Sequence, residues 1–276
     1  MKTEQLNQIQ SWVEGYVDGF RQAPADLPLP LALKLDHTRH VAENAREIAR
    51  ELGWTPEDVR MAEALGWLHD VGRFAQFAEF GHFHDATSAD HGLRGFEIAR
   101  GSSLLAPLPD VGRDCLLEGI RHHNAKTIPA TISPACLPFL KLIRDADKLD
   151  IYRVVIEGLK RDGFRGLADM WPHIDLDGPV NSGLLREIQT QRDVDIVHVR
   201  SLADFLLLQA FWIYDLHYEP TRARIRQRRI LETIGSYLPD QPNIREILDH
   251  LRDYLQVGTG PESQRNPHSI RAGHAG

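Results

Sequence analysis

The chain is poor in cysteine, has no long apolar run and carries no excess of positive charge. Two cysteines, Cys115 and Cys136, stand among 276 residues. Two make no disulfide framework, so a reducing cytoplasm is the expected setting. No stretch approaches the ~18 consecutive apolar residues of a membrane span. The first 21 residues are polar and amphipathic, without the apolar core or small-residue cleavage site of a secretion signal. Net charge is -7, from 32 basic and 39 acidic residues. A surface built to grip a nucleic-acid backbone needs a basic face, so no nucleic-acid partner is expected. A small phosphorylated ligand held by a few local cations fits that balance. Period-two alternation and internal repeats are missing as well, which leaves helices.

Apolar residues at three-to-four spacing mark them. Residues 4–20 carry Leu6, Ile9, Val13, Tyr16, Val17 and Phe20, and 23–30 reads as a proline-broken linker. Val41, Ala45, Ile48, Ala49 and Leu52 mark a helix over 37–52. Thr55, Pro56, Glu57 and Asp58 open another, with a capping hydroxyl, proline at the first position and acid in the first turn. It is expected to stop at Gly72, before a loop over 74–87. Further helices are expected from Ser88 to Arg100, from Asp110 to about His123, and from Pro138 towards Leu159. Residues 160–182 look irregular. The stretches 184–191, 202–216, 222–238 and 243–255 read as helix, and 258–276 as a disordered tail. The expected organisation is a packed N-terminal helix and linker (1–30), a core (31–160), a helical extension of the same domain (161–257) and the tail.

Histidine is the unusual residue: there are 14. Five successive helical segments each place a His or Asp on, or beside, the apolar stripe. His37 lies one turn before Val41. Val59, Ala62, Leu65 and His69 share a face, and Asp70 follows. His91 is followed at i+4 by Gly95, which lets a neighbouring backbone come close. His122 and His123 end the fourth segment, and Asp147 lies four residues after Ile143. One histidine on an apolar stripe is more often a hydrogen-bonded core residue than a ligand. Asp147 and Asp150, taken singly, read as ordinary helix surface, and His82 and His84 as loop residues. Jointly, the pattern is what a metal site inside a helical bundle requires, since buried carboxylates and imidazoles are costly unless a cation takes them.

These residues resemble a known family. His37-Thr38-Arg39-His40-Val41, His69-Asp70-Val71-Gly72-Arg73 and Asp145-Ala146-Asp147-Lys148-Leu149-Asp150 look like the H…HD…D signature of the HD-domain phosphohydrolases. His37 rather than His40 fills the slot four residues before the valine, and Asp147 rather than Asp145 fills the Ala-Asp-Lys-Leu frame. Asp90-His91-Gly92-Leu93-Arg94-Gly95 and His122-His123-Asn124 resemble the extra histidines of the dinuclear branch that includes the HD-GYP phosphodiesterases. Asn124 stands where that branch has glutamate, the Gly-Tyr-Pro loop is missing, and Arg73 replaces a lysine.

The resemblance implies an all-α HD-domain bundle with additional N- and C-terminal helices. It implies one metal on His37, His69, Asp70 and Asp147, and a second on Asp70, His91, His122 and His123. The expected cofactors are two divalent ions, with Mn or Fe favoured and Ni, Co, Zn or Mg compatible with the ligands. The expected activity is hydrolysis of a small phosphoester by metal-activated water, with Asp70 as bridge and Arg73 and Lys148 holding the phosphate. Arg144, Asp145 and His84 are lesser candidates. Alternatives are a di-iron oxygenase of similar ligand pattern, which the extra imidazole of the doublet argues against, and an inactive sensor module. A homo-oligomer is compatible with the sequence. The arginine run 222–229 reads as a solvated helix face paired with acids such as Glu219 and Glu232, with a patch that guides an anionic substrate or binds an acidic partner as the alternative.

Overall fold

The computed structural model describes residues 1–21, 26–166, 174–190 and 198–257. The expected tail at 258–276 and part of the irregular 160–182 stretch lie outside them. Among the described residues the fold is all-α. An isolated bridge pairs Asp175 with Ser201. No described helix is long and apolar enough to cross a membrane. The chain divides into two compact units, Met1–Val154 and Val155–Gly276, at a point inside one long helix.

The first unit contains α1 (Thr3–Asp18), α2 (Leu29–Glu51), α3 (Pro56–Leu68), α4 (Val71–Phe80), α5 (His91–Gly101), α6 (Asp110–His122) and most of α7 (Leu137–Asp162). Leu6, Ile9, Val13 and Val17 form the buried stripe of α1, which packs on α3. Each such side chain contributes about 1.5–3 kcal/mol by leaving water. The helix α3 is buried on most sides and forms the centre, touching α1, α2 and α6. Gly66 permits its close crossing with α2, because a methyl group there would overlap the backbone of Ala42.

The boundaries differ from the sequence reading in instructive ways. Pro28 and Pro30 belong to the start of α2, where a missing N–H leaves nothing unsatisfied. Residues 74–80 are helical, not loop. Gly72 is no terminator but a first-turn residue of α4, packed so closely on α5 that a Cβ would overlap the His91 carbonyl and lie 2.7 Å from the Gly95 nitrogen. The helix stops instead at Gly81, whose φ of 74° suits glycine. Asp90, not Ser88, caps α5 by accepting from the Leu93 N–H at 3.0 Å. Cys115 on α6 and Cys136, just before α7, form a disulfide across 21 residues of chain. The proline-punctuated connection folds back to bring them together, so cysteine count no longer carries an inference about cellular location.

The second unit contains the end of α7, α8 (Ser182–Thr190), α9 (Leu202–Phe211), α10 (Glu219–Gln227), α11 (Ile230–Ser236) and α12 (Pro242–Gln256). The arginine run is not one solvated helix face. Arg222 is 2% exposed, donates to the Leu216 carbonyl at 3.0 Å and lies over the Tyr254 ring. Arg226 does pair with Glu219. Arg229 takes a left-handed φ of 53°, which separates α10 from α11.

Candidate metal centre

The junction between α3 and α4 sets the centre. His69 closes α3 and Asp70 precedes α4 in a non-helical conformation (φ -106°, ψ 14°), with both residues buried. One oxygen of Asp70, Oδ2, lies 3.6 Å from His37 Nε2 and 3.5 Å from His69 Nε2. The other, Oδ1, lies 3.4 Å from His91 Nε2 and 3.6 Å from His123 Nε2. Within the pairs, the Nε2 atoms are 3.4 Å apart for His37 and His69, and 3.0 Å for His91 and His123. Ligand atoms about 2.1 Å from a common ion are spaced about 3.0–3.4 Å apart, depending on coordination number. The observed spacings sit in or just beyond that range.

The other ring nitrogens explain why Nε2 points inward. His69 Nδ1 faces the Gly66 carbonyl at 2.7 Å, and His123 Nδ1 the Ile120 carbonyl at 2.8 Å. His37 Nδ1 faces Asp150 Oδ2 at 2.7 Å, and His91 Nδ1 faces Asp85 Oδ2 at 2.6 Å. All four partners are acceptors, so each Nδ1 carries the hydrogen and each Nε2 is the ring atom that could ligate an ion. Burial pushes His69 and His91 down to about 4, so at neutral pH both present a lone pair. His37 behaves oppositely. Burial and Lys34 lower its pKa, but the hydrogen bonds it donates to Asp147 and Asp150 outweigh them and raise it. Burial alone would raise Asp70. The Lys34 ammonium and the surrounding imidazoles overcome it and hold the carboxyl well below its usual range. The result is an acceptor-rich pocket, the donor set a divalent cation takes. His37, His69 and Asp70 could hold one ion, and Asp70, His91 and His123 another.

Asp147 flanks the first group, with Oδ1 3.1 Å from His37 Nε2 and 3.8 Å from His69 Nε2. His40 is turned away and bonds the Asp36 carbonyl, in keeping with His37 as the ligand candidate of that pair. His122 is not brought in. Its Nε2 lies 3.4 Å from Glu118 Oε2 at the surface. Successive helical residues point about 100° apart, so only one member of the doublet can face Asp70. Asn124 ties the end of α6 to the cap of α5, through Asp90 Oδ1 at 3.1 Å.

The expected phosphate cations are placed differently. Arg73 Nη1 is engaged by Asp85 Oδ1 at 2.6 Å, the Phe83 carbonyl at 2.6 Å and Gln76 Oε1 at 2.8 Å. Lys148 is 8% exposed and its Nζ donates to the Arg144 carbonyl at 3.4 Å. Arg144 donates to the His123 and Ala125 carbonyls, which holds the turn behind His123. His84 bonds Thr87 Oγ1 at 2.9 Å.

Sequence reasoning missed Lys34, Asp85 and Gln76, and gave Asp150 no role. Lys34 Nζ is 2.6 Å from Asp70 Oδ2. Gln76 is fully buried and donates to Asp85 Oδ1, Ser88 Oγ and the Ala89 carbonyl, which pins the 82–88 loop. Helical spacing offered a signal for two of them, since Lys34 stands three residues before His37 and Asp150 three after Asp147.

Residues 35–152 match the family model of the HD domain. No curated protein and no solved structure matches the chain significantly. The matched span begins two residues before His37 and ends five after Asp147, so it encloses every histidine and aspartate of the two clusters. The chain is therefore similar to the HD domain over residues 35–152, a span that covers less than half of its length.

Proposed function

We propose that the protein is a metal-dependent phosphohydrolase acting on a small phosphoester, in which Asp70 would serve as the shared carboxylate for two divalent ions. One observation carries this reading. Four Nε2 atoms converge on the two oxygens of a single buried carboxylate, a pair to each oxygen. HD-domain proteins are largely metal-dependent phosphohydrolases. Imidazole-rich ligation favours Mn or Fe over Mg alone. Divalent ions held there would supply Lewis acidity towards phosphoryl oxygens and activate water for attack. The chain's own part is to hold the site. Asp150 and Asp85 fix the ring orientation of His37 and His91, and the Gly66 and Ile120 carbonyls that of His69 and His123. Arg73 acts through Asp85, and the proposed phosphate-holding roles of Arg73 and Lys148 would require both to leave their present partners.

The test is metal analysis of the purified protein, then a phosphoester panel with the metal found. Two ions per chain and turnover are expected, and Asp70→Ala should lose both. An Asp70→Ala protein that kept metal and activity would sink the reading.

A second reading has its own observation. With His122 turned to Glu118, the inward set is His37, His69, Asp70, His91, His123 and Asp147. The extra imidazole that argued against a di-iron oxygenase is therefore not at the centre. Oxygen consumption by the reduced iron form, set against anaerobic hydrolysis of phosphoesters, separates the two.

A further inference from the structure

The geometry points to Lys34 as the residue that couples metal loading to anion binding: its ammonium occupies the Oδ2 side of Asp70 and must exchange that carboxylate for a ligand phosphate when an ion enters. The inference rests on the metal-site reading above and extends it to a side chain that reading does not use.

Lys34 stands on α2 one turn before His37, and both reach the same oxygen of Asp70. The ammonium is 2.6 Å from Oδ2, while His37 and His69 place Nε2 at 3.6 and 3.5 Å from it. A divalent ion ligated by those three groups would lie within a few ångström of the ammonium. Like charges at that range repel strongly in a poorly hydrated site. Asp70 is also nearly buried, so neither cation is well screened there. The two cations therefore compete for one carboxylate oxygen.

A lysine can yield without unfolding its surroundings. Its stem is flexible, and the side chain keeps 18% of its surface exposed, which places it at the rim. The Phe83 ring lies 5.8 Å from Nζ and offers a resting face. Once displaced from Asp70, the ammonium would remain at the rim of the centre, where the phosphate of a ligand would approach. The other cations near the centre are less suited. Arg73 is bound to three acceptors, and Lys148 is more buried and donates to a backbone carbonyl.

The experiment measures Mn2+ binding by equilibrium dialysis, with and without inorganic phosphate, for wild type, Lys34→Met and Lys34→Arg. Lys34→Gln serves if the methionine variant does not fold by circular dichroism. Without phosphate, Lys34→Met should bind the tighter-affected ion about tenfold more strongly than wild type, since a competing charge is gone. Phosphate should strengthen ion retention in wild type and in Lys34→Arg, and do so several-fold less in Lys34→Met. Equal Mn2+ affinity in wild type and Lys34→Met, or an equal phosphate effect, overturns the role of Lys34 and leaves the metal centre standing. Failure of all variants to bind Mn2+ overturns both.

Discussion

On the Oδ2 side of Asp70, His37 is braced by Asp150, a fully buried carboxylate in the middle of α7 that Arg153 holds at 2.6 Å. On the Oδ1 side, His91 is braced by Asp85, which stands in a short 3-10 turn and leaves a third of its side chain exposed. One brace is part of a long helix. The other keeps its place only because Arg73 and Gln76 grip the same carboxylate from α4. The two halves are matched in their ligand atoms and unequal in their scaffolds. The first half is fixed when the helices pack, whereas the second also needs a loop to close correctly.

The shared carboxylate gives the largest effect. Asp70→Asn should lose both ions, and phosphoester hydrolysis should fall at least about 1,000-fold, because the carboxylate that both halves share is gone and only Asp147, on one side, remains as an anionic group. Elemental analysis and turnover measured on the same preparation check this. Loss of one ion only would show that the halves do not share the bridge, and the comparison would then have to be redrawn.

Acid should separate the halves next. His69 and His91 are held down to about 4 by burial, against 6.5 in an unfolded chain. Between those values the unfolded chain binds protons that the fold refuses, so stability is full above 6.5 and falls as pH drops towards 4. The loss is on the order of 3 kcal/mol per group. His37 works with the opposite sign. Its raised pKa adds stability at low pH that is lost as pH rises, which offsets His69 within the first half. In the second half the pKa of His91 is lowered. Thermal melts of chelator-treated protein from pH 7.5 to 4.5 should therefore flatten more with His91→Gln than with a protein altered at both His37 and His69. An equal flattening would count against the asymmetry.

The braces come third. Removing the acceptor behind a ligating histidine commonly costs 10- to 100-fold in metal affinity. Asp85→Asn should weaken one ion by about that factor while the other stays, and Asp150→Asn should do the reverse. Two-site titrations of both variants would show whether each brace serves its own half. Equal weakening of both ions by either variant would mean that the loop and α7 act on the centre as a whole.

What was legible in the sequence follows from what helical periodicity can carry. His37, His69, His91, His123 and Asp147 extend apolar stripes, so an all-α fold with those side chains turned inward could be read from spacing. Asp70 came with the family-like motif. Asp85 and Gln76 were not legible, because a pinned loop has no period and its partners are set by tertiary contact. The 74–80 helix was missed for a related reason. Gly72 looks like a stop in one dimension, yet its missing side chain serves the crossing of α4 and α5. Lys34 and Asp150 lay at readable helical spacings, but a charged residue at such a spacing is ordinarily solvated surface. The disulfide escaped because two cysteines 21 residues apart reveal nothing about a connection that folds back.

His122 gives the smallest expected effect and the sharpest control on the second half. Its ring pairs with Glu118 while its neighbour His123 faces Asp70. An exposed pair of this kind contributes little. His122→Ala should keep both ions, hold activity within about twofold and shift stability by no more than about 0.5 kcal/mol. His123→Ala, one residue along, should lose the second ion. Adjacent positions on one helix end would then differ by the whole of a metal site, as the 100° step between them requires. If His122→Ala lost an ion as well, α6 would have to end differently in the metal-loaded protein, with its last turn unwound so that both rings reach the Oδ1 side. The extra imidazole would then return to the centre, and the argument against oxygen chemistry with it.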